Sequence, residues 1–368
     1  MPIASSATKS ILAVTLIGLT ACKPSPSAGD ETLGAKLQGI VDDYSLASIS
    51  VAVLRHGKLA YKAVRGHADI ENGKVASTDT IYSLASVSKP VVGVALAHMI
   101  EKNPSFDLDA DINDYLKWSQ PPRNPTYQND RITMRHLVLH TSGIVSDSDA
   151  DYDTYPKPDP NNDLDAYLRP LLAQQKYWGD AKPGTAKSYS NLGVALAALV
   201  VERVTGKPFN TYCNENIFTP LGMNDTRWFF KELGPAQQDR VAIPYEGAGD
   251  ARVRLLHYGF EDWPSGQLRS TAVDYARLLA MLMAGGAPVL SQTSVGTFET
   301  VPLLIEAEGG TFNHSGGEAG VTAFSQYNKG GAGYVFLVNN EIADSRTDKL
   351  FADVDAIVAS LPDPLGSH

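Results

Sequence analysis

The sequence predicts an α+β fold: an antiparallel sheet flanked by helices and interrupted by an all-helical insert. Strand signals gather towards both ends, helical signals fill the middle, and an amphipathic helix closes the chain. Ser48 to Leu54 and Leu59 to Val64 are apolar-rich runs separated by Arg55-His-Gly-Lys58, the pattern of a β-hairpin. The apolar run Val91 to Ile100 reads as a helix, with Pro90 in its first turn, where a missing N–H has no intrahelical partner to lose. From Leu108 to Ala242 the signals are helical, clearest in Ile132 to His140, Leu192 to Val204 and Phe209 to Phe218. Long Pro/Asp/Asn loops separate them, Tyr152 to Asn162 among them. Ala272 to Ala284 is an amphipathic helix stopped by Gly285-Gly286. Gly333 to Asn339 reads as a buried strand and Asp348 to Leu361 as the last helix. The expected globular domain spans 33–361, with a sheet part at about 33–107 and 250–361 and a helical part at about 108–249.

The chain has 368 residues, 43% of them apolar and 20% charged, an ordinary globular composition with ample length for a core. Its net charge of −10 and lack of a dense Lys/Arg block exclude nucleic acid as a partner and attachment to membranes through a basic patch. No repeat of solenoid period and no phosphate-cradling Gly-rich sequence is present. Lys9 precedes the apolar run Ile11 to Ala21, about half the ~20 residues a membrane-spanning helix needs, so residues 1–21 read as a signal peptide. The run ends Leu19-Thr-Ala-Cys22, which resembles the lipobox of bacterial lipoproteins. That resemblance implies cleavage before Cys22 and a lipid anchor on it. Residues 22–32 are then a Pro/Ser tether. Lys23 rather than Asp after the cysteine implies the outer membrane, with the protein facing the periplasm. With Cys22 acylated, Cys213 has no partner in the chain and reads as a packed thiol.

Three short motifs carry chemistry. Ser86-Val-Ser-Lys89 places a hydroxyl and an amine one helical turn apart, at a helix N-terminus that favours developing negative charge. Ser6-Ala-Thr-Lys9 has the same form but lies in the leader. Tyr189-Ser-Asn191 stands before the Leu192 helix, after the turn Lys182-Pro-Gly-Thr185. Tyr127-Gln-Asn129 and Tyr212-Cys-Asn214 share its form. His314-Ser-Gly316, followed by Gly317, reads as a Gly-rich turn.

In this order the motifs resemble those of the penicillin-recognising serine hydrolases, in particular the branch of class C β-lactamases and Tyr-x-Asn D-alanyl-D-alanine carboxypeptidases and esterases. Flanking text agrees: His140-Thr-Ser-Gly-Ile144, Ser188-Tyr-Ser-Asn-Leu-Gly193, Pro220-Leu-Gly-Met-Asn-Asp-Thr226, and Pro264-Ser-Gly266 followed by Ser270-Thr271. The resemblance covers roughly Leu33 to the C-terminus and implies the β-lactamase/transpeptidase-like fold. It makes Ser86 the acylated nucleophile, with Lys89 and Tyr189 moving its proton. It gives Asn191 a hydrogen bond to substrate or Lys89, and puts the oxyanion between the N–H groups of Ser86 and Gly317. His314, Ser315, Gly316 and Gly317 line the substrate. The implied substrates are D-amino-acid peptides or small esters, with a class C-like β-lactamase or a non-turnover penicillin-binding sensor as alternatives, and neither metal nor organic cofactor. Many such β-lactamases carry lysine where this chain has His314. An unperturbed imidazole titrates near about 6.5, so affinity for carboxylated substrates is expected to fall as pH rises through that value, with Lys89 carrying more of the base role.

Other candidates carry less. His136 and His140 have metal-ligand spacing but lack the glutamate base of a His-Glu-x-x-His site, and read as a capped or core pair. Asp107-Leu-Asp-Ala-Asp111 lacks the glycine of a calcium loop and reads as a turn, and Asp147, Asp149, Asp151 and Asp153 as solvated.

Overall fold

The computed structural model describes residues 27–146, 157–364 and 366. The leader, Cys22 and the four aspartates from Asp147 to Asp153 lie outside the described residues.

A seven-stranded antiparallel sheet is built from β1 (Ser48–Arg55), β2 (Lys58–Asp69), β3 (Lys74–Val75), β4 (Glu306–Glu308), β5 (Thr311–Glu318), β6 (Val321–Asn328) and β7 (Ala332–Val338), in the order β3-β2-β1-β7-β6-β5-β4. The hairpin β1–β2 closes through His56-Gly57, both at positive φ, the conformation a two-residue turn needs to match strand twist. Neither end of the chain can make the sheet alone: β1 pairs with β7 from the far end of the sequence.

Alternation along the central strands sends side chains to two cores. Ile49, Val51 and Val53 of β1, with Tyr334, Phe336 and Val338 of β7, face helices α1 (Ala28–Tyr44) and α8 (Asp344–Ala359). Ala52, Leu54, Val335 and Leu337 face the other way, into a core that runs on into the helical middle of the chain. That core holds α2 (Lys89–Lys102), α3 (Met134–Val138), α4 (Leu164–Leu172), α5 (Asn191–Thr205), α6 (Ala272–Met283) and α7 (Gln292–Thr300). Helices α2 and α5 pack against each other. They are buried on every face along most of their length, as the uniform apolar content of Val91 to Met99 and Leu192 to Val201 requires. Between Leu108 and Ala242 no strand of two or more residues occurs among the described residues.

Four local expectations are corrected. Residues 28–32 are not tether but the first turns of α1, begun by a Ser27–Asp30 capping box and held by Leu33, Leu37, Ile40 and Tyr44 on one face. The segment Ile132 to His140 is helical only over Met134–Val138, capped by Thr133 and ended before His140, which adopts a left-handed φ of 55°. Phe209–Cys213 widens into a π-helical turn, Asn214–Phe218, rather than running on as α-helix. His314-Ser-Gly316 lies within strand β5, not a turn. The turn read at Asp107 to Asp111 does follow α2, with Asp109 paired to Arg135 and Asp111 to Arg123.

Candidate active site

Ser86 sits in a 3-10 turn, Ala85–Ser88, that leads straight into α2. In that tighter coil residues three apart eclipse one another, so Lys89 Nζ lies 2.8 Å from Ser86 Oγ. The turn is fixed from three sides. The Leu84 N–H donates to the Leu268 carbonyl at 2.9 Å, the Leu268 N–H to Ser88 Oγ at 3.1 Å, and the Tyr275 hydroxyl to the Val87 carbonyl at 2.9 Å. Ala85 carries φ 46°, a strained value for a residue with a side chain, immediately before the serine. Strand β5 runs against this turn. A Cβ on Gly316 would stand 2.6 Å from the Leu84 carbonyl and 3.0 Å from the Ser86 nitrogen, so only glycine lets the strand approach.

Tyr189 immediately precedes Ser190, which caps α5 by accepting from the Gly193 N–H at 2.9 Å. Its loop rests on His140: the Ser188 N–H donates to the His140 carbonyl at 2.7 Å and the Ser190 N–H to His140 Nδ1 at 3.1 Å. The His140 ring stacks on the Tyr189 ring with centroids 4.6 Å apart. Helices α2 and α5 thus bring their N-termini to one place, with the Tyr189 hydroxyl bonded to Ser86 and the Lys89 amine 4.8 Å from the Tyr189 ring centre. The His314 ring lies 6.5 Å from that of Tyr189. Asn191 occupies the first turn of α5, and its Oδ1 is buried without a hydrogen-bond partner among the described residues. Ser315 and Gly317 are exposed on β5, while Gly316 is buried against the serine turn. Three segments far apart in the chain therefore meet in one cleft.

Lys89 is completely buried. Burial brings its amine down to about 7, against the charges of Asp262 and Glu318, which raise it. Its second partner is the Ser265 carbonyl at 2.7 Å, in the Pro264-Ser-Gly266 turn, and Ser265 Oγ in turn donates to Asp262 Oδ2 at 3.1 Å. Glu318 is lifted to about 7 by burial and then by Asp262, while Lys89 pulls it back. The Tyr189 hydroxyl goes up: desolvation outweighs its hydrogen bond to Ser86, and Glu318, Glu306 and Asp262 raise it further. Burial, followed by the Lys89 charge, pushes both His140 and His314 down to about 3. The expectation that His314 titrates near neutrality is thereby overturned: its enclosed ring, with Nδ1 2.7 Å from the Ser315 carbonyl, is neutral across the physiological range. The arrangement can take a proton from a hydroxyl through an amine whose neutral form is favoured by burial.

Sequence reading treated His140 as a core histidine and passed over Asp262 and Glu318. His140-Thr-Ser-Gly-Ile144 did mark the first of these, since the segment is the shelf beneath the Tyr189 loop. His136 closes the capping box of α3 with Thr133. Cys213 is fully buried, and burial raises its thiol.

The family model described as Beta-lactamase matches residues 33–356. The chain belongs to the beta-lactamase family. Its curated relatives include esterase EstB of Burkholderia gladioli, 30% identical over 236 residues that cover 61% of this chain and 57% of EstB. Penicillin-binding protein 4* of Bacillus subtilis (strain 168) is 27% identical over 218 residues, 58% of this chain and 44% of that protein. The chain spans about half the length of the curated relatives it matches. Among solved structures, the D-amino acid amidase from Ochrobactrum anthropi SV3, complexed with L-phenylalanine amide, aligns with TM-score 0.73 at 21% identity, over 90% of this chain and 99% of that one. A class C beta-lactamase aligns with TM-score 0.70 at 16% identity, over 93% and 99%. These two share the fold.

Proposed function

We propose that the protein is a serine hydrolase that opens ester or amide bonds through an acyl-Ser86 intermediate. The observation that carries the reading is the 2.8 Å contact between Ser86 Oγ and a buried Lys89 amine held at about 7. Ser86 Oγ bonds to the substrate carbonyl carbon as its proton passes to neutral Lys89. The carbonyl oxygen takes the electron pair between the Ser86 and Gly317 N–H groups, each such donor contributing about 3 kcal/mol in the transition state. When the oxyanion collapses, the leaving group departs with the proton relayed from Lys89. Tyr189, raised and hydrogen-bonded to Ser86, acts as a neutral hydroxyl that passes protons rather than as a phenolate base. Water then repeats the sequence on the acyl-ester. Asn191, whose Oδ1 is unpartnered among the described residues, supports a hydrogen bond to an amide-bearing substrate or to Lys89.

The relatives' names support an esterase or D-amino-acid amide hydrolase. p-Nitrophenyl esters, D-amino-acid amides and a penicillin, each with wild type and Ser86→Ala, test it. Ser86-dependent product from an ester or amide supports the reading. A lasting penicillin adduct with no product from any substrate identifies a sensor instead, and rapid penicillin clearance a β-lactamase.

The lipobox-like Leu19-Thr-Ala-Cys22 supports a lipid anchor on Cys22 and a place at the cell envelope, in the outer membrane facing the periplasm. Cys22→Ala releasing the protein from the membrane fraction is the corresponding test.

A further inference from the structure

Beside the catalytic cluster lies a pocket of about 240 Å³ lined by apolar side chains, two histidines and one Lys–Glu pair. Leu139, Leu304 and Ile305 supply apolar wall, and His140 and His314 form the side nearest the serine. His140 stacks on Tyr189, and the Tyr189 hydroxyl is bonded to Ser86, so two stacked rings, His140 and Tyr189, connect the pocket wall to the nucleophile. Lys187 and Glu306 are the two charged side chains of the lining. Lys187 belongs to the Tyr189 loop and Glu306 opens strand β4, so their contact joins the two sides of the cleft. Lys187 Nζ meets both Glu306 carboxylate oxygens, at 2.8 and 2.9 Å, with each side chain about half exposed.

We propose that this pocket is a substrate subsite for an uncharged apolar group, with Glu306 masking Lys187 so that substrates carrying a carboxylate near the scissile bond are selected against. The inference rests on the hydrolase reading and names the substrate class of that same site. Among the described residues, the two amines at the pocket and the serine, Lys187 and Lys89, are both engaged. Lys89 is held by Ser86 Oγ and the Ser265 carbonyl. Lys187 is bound by both oxygens of Glu306. The two histidines are neutral because burial holds them down at about 3. The charges of Asp262 and Glu318 act on Lys89 as well, and both raise its amine. An entering carboxylate therefore gives up its water without gaining a cation, a net cost. An aryl or branched alkyl group loses nothing of that kind. A cavity of about 150 Å³ with Leu/Ile walls accepts a benzene ring, so the volume here is sufficient.

Glu306→Gln tests this. The substitution keeps the side chain's size at an exposed position and leaves Lys187 without its counter-charge. Two matched pairs of esters serve as probes. p-Nitrophenyl butyrate and p-nitrophenyl hemisuccinate place the charge on the acyl group, whereas phenyl butyrate and 4-carboxyphenyl butyrate place it on the leaving group. The quantity read is the ratio of kcat/KM for the carboxylated ester to that for its neutral partner. In wild type that ratio favours the neutral ester. In Glu306→Gln it moves towards the carboxylated ester by about threefold to tenfold in one of the pairs, the effect of one partly screened charge, and the gain shrinks in 0.5 M salt. A ratio that does not move in either pair, or a wild type that prefers the carboxylated ester, overturns the subsite while leaving the hydrolase intact. No Ser86-dependent hydrolysis of any ester overturns the hydrolase reading and the subsite with it.

Discussion

Raising the pH from 5 to 9 should switch the enzyme on in a way set by the burial of Lys89. An ordinary lysine amine costs about 5 kcal/mol to neutralise at pH 7. In this protein the amine is held at about 7, so most of that cost has been met by removing the ammonium from water. The neutral fraction is then about 1% at pH 5, about half at pH 7 and nearly complete at pH 9. The kcat/KM of Ser86-dependent hydrolysis of a neutral ester should therefore rise about fiftyfold between pH 5 and 7, and only about twofold from 7 to 9. An amine at the ordinary ~10.4 would instead give a rate still climbing tenfold per unit at pH 9. His140 and His314, held at about 3, do not titrate in this window. Neither histidine should therefore give a step in the KM of a carboxylated ester between pH 5.5 and 8. Glu318, lifted to about 7, does titrate there. Glu318→Gln separates the two groups: it removes a charge that raises Lys89, so the rise should persist and move to lower pH. A rise that vanishes in Glu318→Gln refutes the assignment of the base to Lys89, and one that continues past pH 9 in wild type refutes an amine held at about 7.

Two substitutions probe the geometry. Lys89→Ala should lower turnover by about 10²–10⁴-fold, the usual contribution of a general base, with the far-UV circular dichroism unchanged; retention of more than half the rate contradicts the role. Gly316→Ala forces a Cβ to 2.6 Å from the Leu84 carbonyl and should cost about 1–3 kcal/mol of stability in chemical denaturation, together with most of the activity. A fully active, fully stable Gly316→Ala protein would mean that β5 does not press on the serine turn.

The parts of the fold legible in the sequence are those where one physical signal acts alone. The hairpin at Arg55-His-Gly-Lys58 is set by local turn geometry, and the buried helices by unbroken apolar runs. Helix α1 was obscured because Pro and Ser just upstream read as tether, although Leu33, Leu37, Ile40 and Tyr44 keep helical spacing. Strand β5 was hidden by its own function: Gly316 and Gly317 lower strand propensity, yet the close pass against Leu84 and Ser86 demands glycine at 316. At the site, the Ser86–Lys89 spacing was readable because a single turn creates it. Asp262 and Glu318 were not, since each reaches the cleft only through tertiary packing, and His140 was marked only by the flanking segment His140-Thr-Ser-Gly-Ile144. The same limit misplaced the His314 titration: a reference value applies to an imidazole in water, and enclosure beside Lys89 removes the water.

On the proposed mechanism Ser86 Oγ is the atom that becomes acylated. Intact-protein mass spectrometry of wild type and Ser86→Ala, quenched in acid during turnover of an activated p-nitrophenyl ester, measures it directly. Wild type should gain the mass of one acyl group, localised by peptide mapping to Ser86, and Ser86→Ala should gain none. An adduct of equal size on both proteins, or on another residue, contradicts the account.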